Sequence, residues 1–216
     1  MYEGGGADLM LEAWQNAGFN VGTVQLLGLR APEVFAWSNK PLRKLEDFKG
    51  LKVRSTTPED AALMEALGAN PITMPYTDVY TALQRGTMDA FCTGVDAMAG
   101  VSAWEVCPYI NNLTAMMAGG VILVNKDAYM NLPPDIKNIF LEETYHMETR
   151  IPYLVKMNCE TSMQGLIDHG MTEIEPSPEL MAHIYEIAPS VWENWAKEGG
   201  PLCEEGLKRV REALDK

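Results

Sequence analysis

Basic residues, histidine, cysteine and long apolar runs are all scarce in this chain. Only 17 Lys and Arg stand against 30 Asp and Glu, a formal net charge of −13 over 216 residues. Such a field repels phosphate backbones and anionic lipid surfaces, which argues against nucleic acid or a charged membrane as the main partner. Its plain meaning is a highly soluble surface. A small anion remains compatible with it, because one well-placed cation outweighs the net field at contact distance. No apolar segment reaches the length a bilayer-spanning helix needs. Met1 is followed by Tyr2, Glu3 and three glycines, so no basic start or apolar stretch marks a secretion signal in the chain as given.

The four cysteines, Cys92, Cys107, Cys159 and Cys203, are widely spaced and form no C-x-x-C pair. They fit two disulfides or four buried thiols equally well. The three histidines, His146, His169 and His183, all fall in the helical second half, far from any strand end. Helix-surface or helix-end positions account for them better than catalysis does. A nucleophile elbow, a phosphate loop, a dinucleotide fingerprint and a His-carboxylate metal spacing are all absent. Glu142, Glu143 and Glu148 suit a solvated helix face. These absences shift the weight from an enzyme to a binding protein, with no cofactor and no metal expected. The 14 methionines serve as core filling for the most part, with an adaptable pocket lining as the other account.

What is present is an alternation of short strand and helix signals. Asp8 to Ala17 reads as a helix stopped by Gly18, and Asn20 to Leu27 as a strand. A loop with Pro32, Trp37 and Pro41 follows. Pro58, Glu59 and Asp60 open a helix that Gly68 closes. Pro71 to Pro75 holds a short strand, Thr77 caps a helix ending at Arg85-Gly86, and Met88 to Cys92 gives another strand. That order predicts a parallel α/β sheet joined by right-handed crossovers. Gly119 to Asn125 reads as a buried strand. Beyond Leu132-Pro133-Pro134-Asp135 an apolar pattern runs to Gly170 with Pro152 inside it, which predicts a kinked helix or a rod between two lobes. Thr172 to Ile174 is a candidate last strand. Helices from Pro178, capped by Ser177, and from Cys203 complete the pattern.

The most informative stretch is Gly50 to Arg54, G-L-K-V-R. It follows an acidic turn, Leu45 to Phe48, and leads through Ser55, Thr56 and Thr57 to Pro58, so Arg54 ends a strand just before a helix. In open α/β sheets that edge receives ligands, and a guanidinium there matches a carboxylate by two parallel charge-assisted hydrogen bonds. The competing account is an internal pair between Arg54 and Glu46 or Asp47.

Several segments in one order resemble a single family. They are S-N-K-P-L at Ser38 to Leu42, L-E-D-F-K-G-L-K-V-R at Leu45 to Arg54, and A-L-G-A-N-P at Ala66 to Pro71. M-P-Y-T-D-V-Y-T-A-L-Q-R-G-T-M-D-A follows at Met74 to Ala90, then V-N-K-D-A-Y at Val124 to Tyr129 and L-P-P-D-I at Leu132 to Ile136. On these residues the chain resembles the solute-binding proteins of tripartite ATP-independent periplasmic (TRAP) transporters. The resemblance implies a two-lobed α/β periplasmic binding protein with a long inter-lobe helix. Such a protein closes on a small organic carboxylate and passes it to membrane permease subunits. Arg54 matches the family's carboxylate clamp, Tyr76 the aromatic position after M-P that packs on the ligand, and Thr93 a polar contact. Trp37 is a candidate pocket wall or a hinge-packing ring.

Two departures stand out. Asp89-Ala90-Phe91-Cys92-Thr93-Gly94 replaces the family's D-G-Q-E-N-P, and Phe91 there favours an apolar or aromatic acid. The first part of lobe one is also lacking from the chain as given. The matched pattern gives 1–28 as partial lobe one, 29–117 as lobe two, 118–157 as the return to lobe one with the inter-lobe helix, and 158–216 as the completion of lobe two. An incomplete lobe exposes apolar faces and a sheet edge, so self-association or partial disorder of that lobe is expected. The alternative from another class is a truncated α/β domain acting as an interaction or assembly module.

Overall fold

The computed structural model describes residues 6–33, 36–100, 102–113 and 116–214. In chain order the first elements are α1 (Gly6–Asn16), β1 (Val21–Glu33), β2 (Ala36–Ser38), β3 (Lys52–Arg54), α2 (Pro58–Ala66) and β4 (Asn70–Ile72). Next come α3 (Val79–Gln84), β5 (Ala90–Phe91), α4 (Val95–Ala99), β6 (Tyr109–Asn111) and β7 (Met116–Asn125). The chain ends with α5 (Lys126–Met130), α6 (Pro134–Asp168), β8 (Thr172–Ile174), α7 (Pro178–Gly199) and α8 (Pro201–Leu214). The strands form a two-stranded sheet, β1-β7, and a six-stranded sheet in the order β4-β3-β5-β2-β6-β8.

The chain divides into two compact units. One comprises Met1–Arg30, Gly119–Val155 and Trp192–Lys216, the other Ala31–Ala118 and Lys156–Val191. The matched pattern assigns all of 158–216 to one lobe, whereas Trp192–Lys216 groups with the N-terminal segment. There α8 has a helix to pack on, since α1 and α8 are in contact. Of the first unit the structure shows β1 paired to β7, with Lys126 N–H donating to Asn20 C=O at 3.0 Å and Asn20 Nδ2 to Asp127 at 2.8 Å. In the stretch 134–155, α6 leaves Ile136, Ile139, Met147 and Leu154 exposed.

In the second unit the sheet is mixed rather than parallel throughout. β3 runs parallel to β4 and β5, and β6 parallel to β8, but β2 is antiparallel to both β5 and β6. The sequence pattern places Ala36–Ser38 in a loop and shows no strand at Tyr109–Asn111. Three residues are too few to show a period, and β2 is buried at every position, so alternation is invisible there. What fixes β2 is a buried side chain elsewhere. Asn111 accepts from Leu42 N–H at 2.7 Å and donates to Ala36 C=O at 2.9 Å and Ser38 Oγ at 2.7 Å. The buried amide thus meets its own hydrogen-bonding needs inside the core.

Successive residues of a strand face opposite ways, and the core divides accordingly. Ala36, Val53, Ala90 and Cys92 join Phe48, Leu63, Met64 and Leu180 in one cluster. Trp37, Phe91 and Ile110 join Val79, Leu83, Met98 and Leu166 in the other. Thr57 caps α2 as a capping box: its Oγ1 accepts from Asp60 N–H at 3.2 Å, and Asp60 Oδ2 accepts from Thr57 N–H at 3.2 Å. Thr77, expected to cap α3, does not. A 3-10 turn over Tyr76–Asp78 leads into α3, and the Thr77 hydroxyl goes to Asp78 instead. Ser177 does cap α7, accepting from Leu180 N–H at 3.2 Å. Among the described residues no helix is long and apolar enough to cross a membrane. No disulfide joins the four cysteines; Cys92 and Cys107 are buried, and burial pushes the Cys107 thiol up against a backbone hydrogen bond at Tyr109.

Candidate ligand-binding site

Arg54 is the last residue of β3, opposite Ile72 in β4 and Phe91 in β5. Val53 before it is buried in the first core cluster, so alternation turns Arg54 to the other face, at the rim of the cluster that holds Phe91. Its half-buried guanidinium has three neighbours. Nε donates to Met74 C=O at 3.3 Å, Nη1 donates to Thr56 Oγ1 at 3.3 Å, and the guanidinium carbon lies 5.6 Å from the Tyr76 ring centroid. That last distance is within cation-π range. Among the described residues no carboxylate forms an ion pair with it. Asp47, one of the two acids near it in sequence, is used in its own turn, accepting from Arg43 N–H at 2.8 Å and Lys44 N–H at 3.0 Å. Arg54 is therefore oriented by neutral acceptors and an aromatic face, with the Asp60 carboxyl near enough to feel its charge but not paired with it.

Tyr76 is half-buried and anchored at its far end, where its hydroxyl donates to Ala97 C=O at 2.7 Å. Phe91 stands 6.5 Å behind it, ring to ring. Thr93 is also half-buried, and its carbonyl accepts from Trp37 Nε1 at 2.9 Å. Arg54, Tyr76 and Thr93 thus belong to the strand end and loops that leave β3, β4 and β5 on one sheet.

Trp37 and Phe91 are different. They are direct cross-strand partners in the β2-β5 pair, and both are fully buried. Neither presents any surface, so the reading of Trp37 as a pocket wall and of Phe91 as a ligand contact does not hold in this structure. Residues opposite each other in an antiparallel pair share a face, and this face is covered. They stand behind the site, Phe91 backing Tyr76 and Trp37 holding the Thr93 carbonyl.

A family model described as bacterial extracellular solute-binding protein, family 7, matches residues 27–198. The chain belongs to that family. Family 7 comprises TRAP-type extracytoplasmic solute-binding proteins. Two curated relatives are the C4-dicarboxylate-binding periplasmic protein DctP of Rhodobacter capsulatus, 29% identical over 165 residues, and the 2,3-diketo-L-gulonate-binding periplasmic protein YiaO of Escherichia coli K12, 25% identical over 138 residues. The matches cover 76% and 63% of this chain but 50% and 42% of the relatives, so the chain spans half or less of their length. Among solved structures, the ectoine-binding protein TeaA of the TeaABC TRAP transporter aligns with TM-score 0.78 at 20% identity, over 95% of this chain and 67% of that one. DctP7 of Bordetella pertussis, an extracytoplasmic solute receptor binding pyroglutamic acid, aligns with TM-score 0.80 at 21% identity, over 94% of this chain and 66% of that one. These likenesses establish the fold as that of the two-lobed TRAP solute-binding proteins.

In this family 7 chain the site draws on residues that sequence reasoning passed over. Asp60 is buried, and its Oδ2 accepts from Thr56 N–H at 3.1 Å as well as from Thr57. Desolvation raises its pKa most; the Thr56 and Thr57 N–H groups and the Arg54 charge oppose that, and Glu59 adds to it. The spacing Thr57-x-x-Asp60 before a helix is a capping signature and was a usable signal for Asp60. The Met74 and Ala97 carbonyls carry no such signal, because any residue supplies a carbonyl.

Proposed function

We propose that the chain captures a small organic carboxylate outside the cytoplasm, in the periplasm, for the membrane permease of a TRAP-type transporter. The two compact units are then the counterparts of the family's lobes. One observation carries the reading: Arg54, at the carboxyl end of β3, is held by two neutral oxygens and an aromatic face while no described acid forms an ion pair with it. Arg54 is the anion clamp, Tyr76 the apolar platform and Thr93 a polar contact. Trp37 and Phe91 support them from the core. Succinate, pyroglutamate and their uncharged counterparts succinamide and 2-pyrrolidinone test it in a thermal-shift series followed by calorimetry. A ligand bound only by the native state raises its melting temperature. The acids are expected to do so and the neutral compounds not; equal or absent responses from both pairs reject a carboxylate site.

A second reading is favoured by the row of large apolar side chains that α6 leaves exposed. It makes the chain an assembly module that pairs with a second copy of itself. Light scattering across a concentration series separates it from the first.

A further inference from the structure

We infer that Thr56 is the positioning residue of the site, the side chain that sets the pose of the Arg54 fork. The inference rests on the reading of Arg54 as an anion clamp and adds what holds the clamp. Thr56 lies two residues beyond Arg54, and its hydroxyl does two things at once. It accepts from Arg54 Nη1 at 3.3 Å and donates to Cys92 C=O at 3.3 Å. Cys92 follows β5, and its N–H in turn donates to Arg54 C=O at 3.1 Å. The hydroxyl therefore ties the guanidinium to the neighbouring strand rather than only to its own loop. The Thr56 backbone is fixed as well, since its N–H donates to the buried Asp60 carboxylate.

The arrangement has a consequence for recognition. Arg carries five N–H groups in a planar fork. With Nε given to Met74 C=O, the side-on edge made by Nε and its adjoining terminal nitrogen is occupied. A carboxylate is left the N–H groups of the end-on edge that Nη1 does not give to Thr56 Oγ1. The direction of that edge depends on where Nη1 is tethered, and Thr56 Oγ1 is the tether. A long Arg side chain has large rotamer freedom to lose on binding, and a fork already oriented loses less of it. Threonine supplies both lone pair and proton here, with a methyl that restricts its own χ1.

The test uses the whole chain with Thr56→Val, which replaces the hydroxyl by a methyl of similar shape, and Thr56→Ser, which keeps the hydroxyl. Two readouts are taken. One is ¹⁵N relaxation at Arg54 Nε without ligand; the other is calorimetric titration with succinate and pyroglutamate. Thr56→Val is expected to lower the Arg54 Nε order parameter towards that of a solvated side chain and to weaken acid binding about 3- to 10-fold, the worth of one hydrogen bond. Thr56→Ser is expected to restore the order parameter and most of the affinity. A merely structural role for Thr56 shifts the melting temperature in both variants and leaves Arg54 Nε unmoved in Thr56→Val, which overturns the inference. If neither acid binds the unaltered chain, the carboxylate reading falls, while the relaxation experiment still decides whether Thr56 orders Arg54.

Discussion

Arg54 and Tyr76 form a cation-π pair, 5.6 Å from guanidinium carbon to ring centroid. The ring cannot swing away, because its hydroxyl is bonded to Ala97 C=O at 2.7 Å and Phe91 backs it. Such a pair at a half-exposed position contributes about 0.5–1 kcal/mol. That is enough to orient a cation and too little to neutralise it, as the proposed anion clamp requires.

Arg54→Lys is therefore expected to weaken carboxylate binding about 10-fold or more, since an ammonium cannot hold Met74, Thr56 and a guest in fixed directions as a guanidinium does. Folding stability should change little, because the substitution removes hydrogen bonds of a half-exposed group and keeps a cation beside the Tyr76 ring. Calorimetry with succinate and pyroglutamate, beside urea unfolding, reads both quantities. Equal affinity in the variant removes Arg54 from the site.

Much of this was legible in the residues. The turn-strand-helix order around G-L-K-V-R placed Arg54 at a strand end, and the T-P-E-D run marked the start of α2. The order of the matched segments named the family. The rest was hidden for physical reasons. β2 and β6 are three residues each and largely buried, so no period shows, and their place in the sheet is fixed by Asn111 from 75 residues beyond Ala36. Trp37 and Phe91 have the right residue types for a pocket wall. Only the cross-strand register, which a sequence does not print, turns both of them inward.

That register yields a paired test. Trp37→Phe removes the Nε1 bond to the Thr93 carbonyl and leaves a gap in a closed core, so it is expected to lower stability by about 2–4 kcal/mol. Thr93→Ala keeps the carbonyl that Trp37 uses. It should leave stability within about 0.5 kcal/mol and weaken ligand binding instead. Urea unfolding and calorimetry on the two variants give opposite patterns if Trp37 supports the site and Thr93 touches the guest; a matching pattern in both refutes the division of roles.

Asp60 is expected to make folding stability depend on pH. Burial raises its carboxyl pKa above 3.8, and the N–H donors of Thr56 and Thr57 only partly offset that. A carboxyl that keeps its proton longer in the folded state favours folding most below its unfolded pKa, and that advantage is lost as pH rises through the folded value. Asp60→Asn keeps an acceptor for both N–H groups but no titration. The stability difference, unaltered chain minus variant, is thus expected to fall as pH rises from about 3 upward and then to level off. Urea unfolding at a series of pH values measures it, and a flat difference shows that Asp60 folds with an unshifted carboxyl.

The last expectation concerns the face that α6 leaves to solvent. Ile136, Ile139, Met147 and Leu154 recur after three, eight and seven residues, steps that return to one side of a helix. Ile139 and Leu154 are 53% and 52% exposed. Single exposed apolar residues are ordinary, but a row of them on one helix marks a surface for contact. Ile139→Glu with Leu154→Glu places two charges in that row without touching the core, so stability should move by no more than about 0.5 kcal/mol for each. If the row joins two copies, light scattering will show the unaltered chain gaining mass with concentration and the double variant remaining a monomer. A monomer at every concentration in both discards self-association and leaves the carboxylate-binding reading on its own.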